Sequence, residues 1–207
     1  MMETPPNVFK GIATSTMLLL ITICQVKSQD IASKKAIEKI REQYALIKNN
    51  DIPGLRTDVI DMSYVPSEEE MQEAPSANID KYEIHYTETD TFMIRKIHMM
   101  DEGGAYFSST AEVYFWNNQP FFYYFESSRM WEGIAEEDRI YIEKGRVIRK
   151  LHKEAVFYSV ETGYTGVSMD QVPNATMKIN PDDYTMVIIF IRNSKSEIQS
   201  FLYSGNK

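Results

Sequence analysis

Residues 105–126 read AYFSSTAEVYFWNNQPFFYYFE, and their pattern gives the clearest indication of the fold. Aromatic and β-branched side chains fill both halves of this stretch, and such residues favour β-strands. The polar residues 117–120 separate the halves and predict a four-residue turn. We therefore expect a β-hairpin whose two strands are residues 105–116 and 121–126.

Similar strand patterns flank this hairpin in the chain. The further strand candidates, each bounded by turn residues, are residues 82–86, 92–98, 139–143 and 147–151. The last two enclose Lys144-Gly145, a compact hairpin signal. Strands joined by such short turns pair antiparallel, because a parallel partner needs a crossover of about a dozen residues or more. The sequence therefore predicts an antiparallel β-meander.

An amphipathic helix is predicted before this meander, over residues 31–48. Its apolar side chains recur at spacings of three and four, which places them on one face of a helix: Ile37, Ile40, Tyr44 and Ile47. Charged residues occupy much of the remaining surface, and Pro53-Gly54 follows the helix as a stop signal. We expect the apolar face to pack on the sheet.

The C-terminal segment, residues 181–203, has conflicting signals. It begins at Asn180 and Pro181 with the cap, proline and acidic residues that typically start a helix. Residues 187–191 are β-branched or aromatic, however, and favour a strand. Because the apolar side chains also fit one helical face, we expect a C-terminal helix, with a strand as the alternative. The predicted fold class is α+β.

The first 28 residues have the pattern of a secretory signal peptide. Lys10 precedes the short apolar run 17–23, and residues 26–28 offer small or β-branched side chains at the cleavage positions. The apolar run is shorter than the roughly 20 residues that span a bilayer. We expect cleavage after Ser28, export to the periplasm, cell surface or exterior, and no stable membrane insertion afterwards. The alternative is a lipid anchor at Cys24, although bulky Ile23 precedes it.

The remaining residues, 29–207, are predicted to form a single α+β domain. Within it, residues 55–79 have little periodicity and contain Pro66 and the acidic run 68–70, so we expect a long surface loop there. The chain carries 22 basic and 30 acidic residues, a net charge of −8. Nucleic-acid binding needs clustered Lys and Arg, so this acidic balance argues against a nucleic-acid partner.

The chain resembles a group of uncharacterised secreted bacterial proteins, several of them of Bacteroidetes type. The residues that carry this resemblance are the helix sequence IREQYALI (40–47), the aromatic hairpin with its Asn turn, and the segment EDRIYIEKGRVIR (137–149). The resemblance implies an N-terminal helix with a tyrosine-rich antiparallel sheet, and a bacterial envelope or exported location. It implies no activity.

No catalytic, cofactor or metal motif stands out in the sequence. At strand rise His85 and His98 lie on the order of 17 Å apart, so this pair cannot bind one metal ion. His152 shares a strand face with Glu154, but two ligands do not make a metal site. The serines lack the Gly-x-Ser-x-Gly elbow, and Gly103-Gly104 joins two strands instead of opening a phosphate-binding helix. We therefore assign no catalytic residue, cofactor or metal ligand.

Carboxylates cluster in the sequence around Trp131. They are Glu126, Glu132, Glu136, Glu137 and Asp138. Glycoside hydrolysis uses two carboxylates at a set separation, so this cluster favours a hydrolase of glycans or other envelope polymers as one hypothesis. The alternative is an ion-pair network with neighbouring arginines on the sheet surface.

Aromatic side chains of the hairpin supply the preferred hypothesis. A four-residue turn places Trp116 opposite Phe121 on one face, with two tyrosines opposite each other beside them. The predicted ligand-binding residues are Tyr114, Trp116, Phe121 and Tyr123. Such amphipathic rings suit a protein interface or a sugar ring, unless a helix covers them. We therefore predict an exported, non-enzymatic binding or structural module of the cell envelope, with an unknown protein or glycan as partner.

Overall fold

The computed structural model describes residues 33–63, 76–102, 105–159, 163–164 and 168–204. The predicted signal peptide, Cys24 and the acidic run 68–70 lie outside these residues. The chain divides into two compact units, Met1–Lys39 and Ile40–Lys207. The described residues of the first unit, 33–39, are helical.

An antiparallel sheet of eight strands dominates the second unit. Its strands are, in spatial order, β1 (Arg56–Asp61), β2 (Ser76–Tyr86), β3 (Thr91–Glu102), β4 (Ala105–Trp116), β5 (Gln119–Arg129), β6 (Ile134–Glu143), β7 (Arg146–Val156) and β10 (Ala175–Thr176). A separate pair consists of β8 (Tyr158–Ser159) and β9 (Gly163–Tyr164). The first seven strands pair in sequence order, which confirms the predicted antiparallel meander.

Two α-helices flank the sheet in the chain. Helix α1 covers the described residues 33–48, helix α2 spans Asp182–Ser204, and a short 3₁₀ helix lies at Met169–Gln171. At the start of α2, the Asp183 carboxylate accepts a hydrogen bond from the Asn180 backbone N–H at 2.7 Å. The expected C-terminal helix is therefore confirmed.

The main hydrophobic core lies between α2 and one face of the sheet, which we call the α2 face. Val187 and Ile198 of the helix pack there with Val113, Ile140 and other sheet residues. Val187 is fully buried and Met186 beside it is exposed, so α2 presents one face to the sheet. Tertiary packing of this face overrides the strand preference of its β-branched residues, because propensity is the weaker influence.

The opposite face of the sheet, which we call the Tyr44 face, contacts the end of α1. The Tyr44 ring meets the ring of Tyr114 on β4 at a centroid distance of 4.9 Å and that of Phe122 on β5 at 5.3 Å. Ile40 and Ile47, on the same helix segment, are buried. Successive strand residues point to opposite faces, so Val113 joins the α2 core while Tyr114 lies beneath Tyr44.

The prediction of a loop over residues 55–79 is wrong for two parts of that range. Residues 56–61 form strand β1, and β2 already begins at Ser76. Strand β1 is short and mostly exposed, so its sequence lacks the apolar–polar alternation that identifies longer strands. Its backbone pairing with β2, and the packing of Ile60 against the core, form the strand nonetheless.

Candidate functional site

The aromatic hairpin has a different register from the expected one. Its turn has two residues, Asn117 and Asn118, both with left-handed φ angles of 50° and 58°. Such turns match the twist of paired strands, and asparagine tolerates this conformation. The register then shifts at Phe121, the extra residue of a β-bulge, so that Tyr114 pairs with Phe122. The expected pairing of Tyr114 with Tyr123 is therefore wrong.

The four predicted ligand-binding residues do not share one face. Tyr114 is fully buried and lies 6.3 Å from the ring of Phe121, which is also buried. Trp116 lies on the same face and contacts Phe92 at a ring distance of 5.9 Å. Tyr123 lies on the α2 face, 5.7 Å from the Phe190 ring of α2. The predicted aromatic set is thus divided between two packed layers, and its role in binding stays a prediction.

A cavity of about 390 Å³ opens on the Tyr44 face beside these rings. Its walls include four aromatic rings and two guanidinium groups: Tyr44, Phe122, Tyr124, Tyr141, Arg41 and Arg139. We call it the aromatic cavity. A volume of this size lies within the range of small-molecule sites, which combine apolar walls with a few convergent polar groups.

The aromatic rings of this cavity come from one helix and two adjacent strands. Strands β5 and β6 place Phe122 directly opposite Tyr141, with ring centroids 5.1 Å apart. Tyr44 of α1 covers the Phe122 ring from above the sheet. The Arg149 guanidinium lies 6.0 Å from the Tyr141 centroid and adds a cation–π contact. The rings are therefore positioned by contacts with one another and with Arg149.

Polar groups converge at the Tyr124 side of the cavity. The Tyr124 hydroxyl donates to Glu126 at 2.6 Å and lies 3.5 Å from an oxygen of Glu137. Burial, together with the hydrogen bond to Glu126, raises the pKa of Tyr124 well above its usual range. The Arg139 Nε lies 2.7 Å from Glu137. Arg41, by contrast, forms no ion pair with the residues that the structure describes.

A buried carboxylate connects α1 to the sheet next to this cavity. Glu112 is almost fully buried and accepts a 2.5 Å hydrogen bond from the Tyr114 hydroxyl. Its other oxygen lies 3.2 Å from both Lys48 of α1 and Arg95 of β3. Burial and the Glu112 carboxylate raise the pKa of Tyr114, so the phenol stays protonated and donates this bond. The network holds the helix residues that cover the cavity.

The acidic cluster near Trp131 is divided by the sheet. Glu136 and Glu137 are consecutive on β6 and therefore point to opposite faces. Arg129 binds two of the carboxylates, Glu132 at 3.1 Å and Glu136 at 3.2 Å. These contacts match the ion-pair network that we considered as the alternative to a catalytic cluster.

A second cavity of about 360 Å³ lies on the α2 face beside Phe190. Neighbouring strands place Asp80, His98 and Ser109 side by side in its wall, with His98 Nδ1 2.9 Å from Asp80. Within the described part of the chain, no hydrogen bond joins Ser109 to His98. These three residues therefore lack the contact between nucleophile and base that a serine hydrolase needs.

The described residues hold no group of three His, Cys, Asp or Glu side chains able to bind a metal ion. Nor is any helix among them long and apolar enough to cross a membrane. Comparison of the chain with protein families, with curated proteins and with solved structures found no match. The resemblance to secreted bacterial proteins stays a prediction.

Sequence reasoning did not find the aromatic cavity. The cavity depends on the pairing of Phe122 with Tyr141 and on the position of Tyr44, residues that are far apart in the chain. One signal was present: Arg139 and Tyr141 alternate with apolar Ile140 and Ile142 along β6. That alternation indicates a second, amphipathic face of the sheet.

Proposed function

We propose that this protein is an exported, non-enzymatic binding module of the bacterial cell envelope, and that it binds a sugar ring in the aromatic cavity. The observation that carries the proposal is the cavity itself, with four aromatic rings and two guanidinium groups around about 390 Å³. Export is supported by the signal-peptide pattern of residues 1–28.

The chemistry of the cavity suits a sugar better than a purely apolar ligand. Sugar rings present one apolar surface, which stacks on aromatic side chains such as Tyr44 and Tyr141. Their hydroxyl groups require hydrogen-bond partners, and Tyr124 and the two arginines supply them at the same cavity. A fatty or otherwise apolar ligand would cover the Arg41 guanidinium without offering it a hydrogen-bond acceptor.

We further propose that residues 40–48 of α1 pack on the sheet through their apolar side chains and so form a wall of this site. The contacts of Tyr44 with Tyr114 and Phe122 support the proposal, as does the ion pair of Lys48 with Glu112.

The second candidate function is hydrolysis of glycans or other envelope polymers by acidic residues near Trp131. It is favoured by one observation: Glu126 and Glu137 are directly opposite each other on β5 and β6. Arg139 pairs with Glu137 at 2.7 Å, however, and an ion-paired carboxylate is a poor proton donor. We therefore expect no release of reducing ends from envelope glycans, whereas release that disappears in Glu137→Gln would favour the hydrolase.

Thermal melting of the purified protein against oligosaccharides from peptidoglycan and bacterial capsules tests the binding proposal. A sugar that binds only the folded protein raises the melting temperature by an amount set by its concentration relative to its Kd. We expect Tyr124→Leu to abolish this shift, because the variant loses the ring and hydroxyl of the cavity wall.

Tyr106→Leu is the matched control for this experiment. Tyr106 is an exposed tyrosine on β4 that does not line the cavity, so this variant should keep the full shift. A shift that survives in Tyr124→Leu, or is lost equally in both variants, would contradict the assignment of the aromatic cavity as the site.

A further inference from the structure

A smaller pocket adjoins the aromatic cavity on the Tyr44 face of the sheet. It measures about 220 Å³, and its lining includes residues with hydroxyl and carboxylate groups: Ser108, Thr110, Ser128, Glu126 and Glu137. We call it the hydroxyl pocket. Glu126 lies two residues beyond Tyr124 on β5 and therefore points to the same face.

The two pockets are lined by different residues, and one hydrogen bond between neighbouring positions of β5 connects them. Tyr124 lines the aromatic cavity, and its hydroxyl donates to Glu126, which lines the hydroxyl pocket. Strand β5 runs past both pockets from Phe122 to Ser128, a span of roughly 20 Å at strand rise. This length exceeds that of one sugar ring, so both pockets together accommodate a chain of several rings.

Two carboxylates line the hydroxyl pocket, and they differ in what they already contact. Glu137 is 7% exposed, and its Oε1 lies 2.7 Å from Arg139 Nε and 3.9 Å from Lys153 Nζ. Glu126 is exposed and accepts a hydrogen bond from Tyr124 at 2.6 Å. A carboxylate has several lone pairs, so Glu126 can also accept a hydrogen bond from a sugar hydroxyl.

Charge distinguishes the two ends of this surface. Arg41 lines the aromatic cavity without an ion-pair partner among the described residues, in a chain whose net charge is −8. A guanidinium binds a carboxylate through two parallel hydrogen bonds, a stronger and more directional contact than it makes with a neutral hydroxyl. The aromatic end therefore suits a sugar that carries a carboxylate.

We infer that the aromatic cavity and the hydroxyl pocket form one extended site for an acidic oligosaccharide, with a uronic-acid ring at Arg41 and the following rings along β5. The inference rests on the proposed function and specifies its ligand class. The contributing groups are the aromatic rings, the Arg41 guanidinium, the hydroxyls of the second pocket and the Glu126 carboxylate.

Calorimetric titration with galactose oligomers of increasing length that end in one galacturonate ring, and with fully neutral galactose oligomers of the same linkage, tests the inference. We expect the affinity of the galacturonate-ended series to rise at least about tenfold from the galacturonate monomer to the tetramer, since each additional ring gains contacts. Arg41→Gln should lower the affinity of this series to that of the neutral series. Arg56→Gln, an exposed arginine paired with Glu88, should leave both series unchanged.

Blocking the hydroxyl pocket separates the two parts of the site. Ser128→Phe should abolish the increase in affinity with oligomer length, while the monomer binds as to the wild type. Ser108→Phe is a second variant that blocks the pocket, in case the first does not fold. If the monomer binds but the affinity of the wild type does not increase with oligomer length, the extended site is overturned and the proposed function stands. Equal affinity for the neutral series would overturn the acidic ligand. Failure of every oligomer, together with no shift in the melting panel, would overturn both proposals.

Discussion

At the scale of single residues, Glu112 is the carboxylate that joins α1 to the sheet. It is almost fully buried between the Tyr114 hydroxyl, Lys48 and Arg95. We expect Glu112→Gln to lower the free energy of unfolding by about 2 kcal/mol, because hydrogen bonds to buried charged groups are the costly ones to lose. Urea unfolding of the two proteins measures the difference.

The control for this substitution is Glu88→Gln. Glu88 also pairs with an arginine, Arg56, at 3.4 Å, but its side chain is 83% exposed. An exposed ion pair contributes little to stability, so the free energy of unfolding of this variant should stay within about 0.5 kcal/mol of the wild-type value. If Glu112→Gln and Glu88→Gln lower the free energy of unfolding by similarly small amounts, the Glu112 network does not stabilise the contact between α1 and the sheet.

A second residue-scale prediction concerns acid stability and Glu197. Partial burial acts to raise its pKa, but hydrogen bonds from Lys96 at 2.8 Å and Tyr82 at 2.5 Å outweigh burial and hold the pKa below its ordinary value of 4.5. A lowered carboxyl pKa stabilises the fold above the ordinary value, and this stabilisation is lost as pH falls through the folded-state pKa.

Comparison of the wild type with Glu197→Gln across pH measures this contribution. The variant lacks the titrating group, so its stability disadvantage at about pH 7 should shrink as the pH falls to about 3. A constant difference over this range would mean that the Lys96 and Tyr82 contacts do not depend on the charge of Glu197.

At the scale of elements, helix α2 contributes to the core through one narrow face. Val187 is fully buried against the sheet, whereas the neighbouring Met186 is half exposed. We expect Val187→Ala to cost about 2 kcal/mol of unfolding free energy, because it removes buried methyl groups and leaves a cavity. Met186→Ala should change the melting temperature little, and an equal loss in both variants would place the helix in a different orientation.

The helices and strands differ in how well the sequence predicts them. Long strands such as β4 alternate and end at recognisable turns, and the helix-start residues before Asp183 identify α2. The hairpin register could not be predicted, because five consecutive aromatic residues, 121–125, fit either face of a sheet equally well. The turn type at Asn117 and the bulge at Phe121 decide between the two registers.

At the scale of the whole molecule, the candidate site depends on contacts between distant parts of the chain. Tyr44, Phe122 and Tyr141 meet only after the meander has formed and α1 has reached the sheet. Local periodicity describes one element at a time, so it could indicate the amphipathic faces but not the cavity that they enclose. None of the four predicted residues lines this cavity, whose walls come from α1, β5 and β6, so their role in binding stays a prediction.

An NMR titration of the purified protein with a galactose tetramer that ends in one galacturonate ring, observing the aromatic ring resonances, locates the bound ligand. Ligand in the aromatic cavity should shift the signals of Tyr44 and Tyr141 in a saturable manner and leave those of Tyr123 and Phe190, on the opposite face, unchanged. Saturable shifts of Tyr123 and Phe190, with Tyr44 and Tyr141 unaffected, would place the ligand in the α2-face cavity and contradict the account.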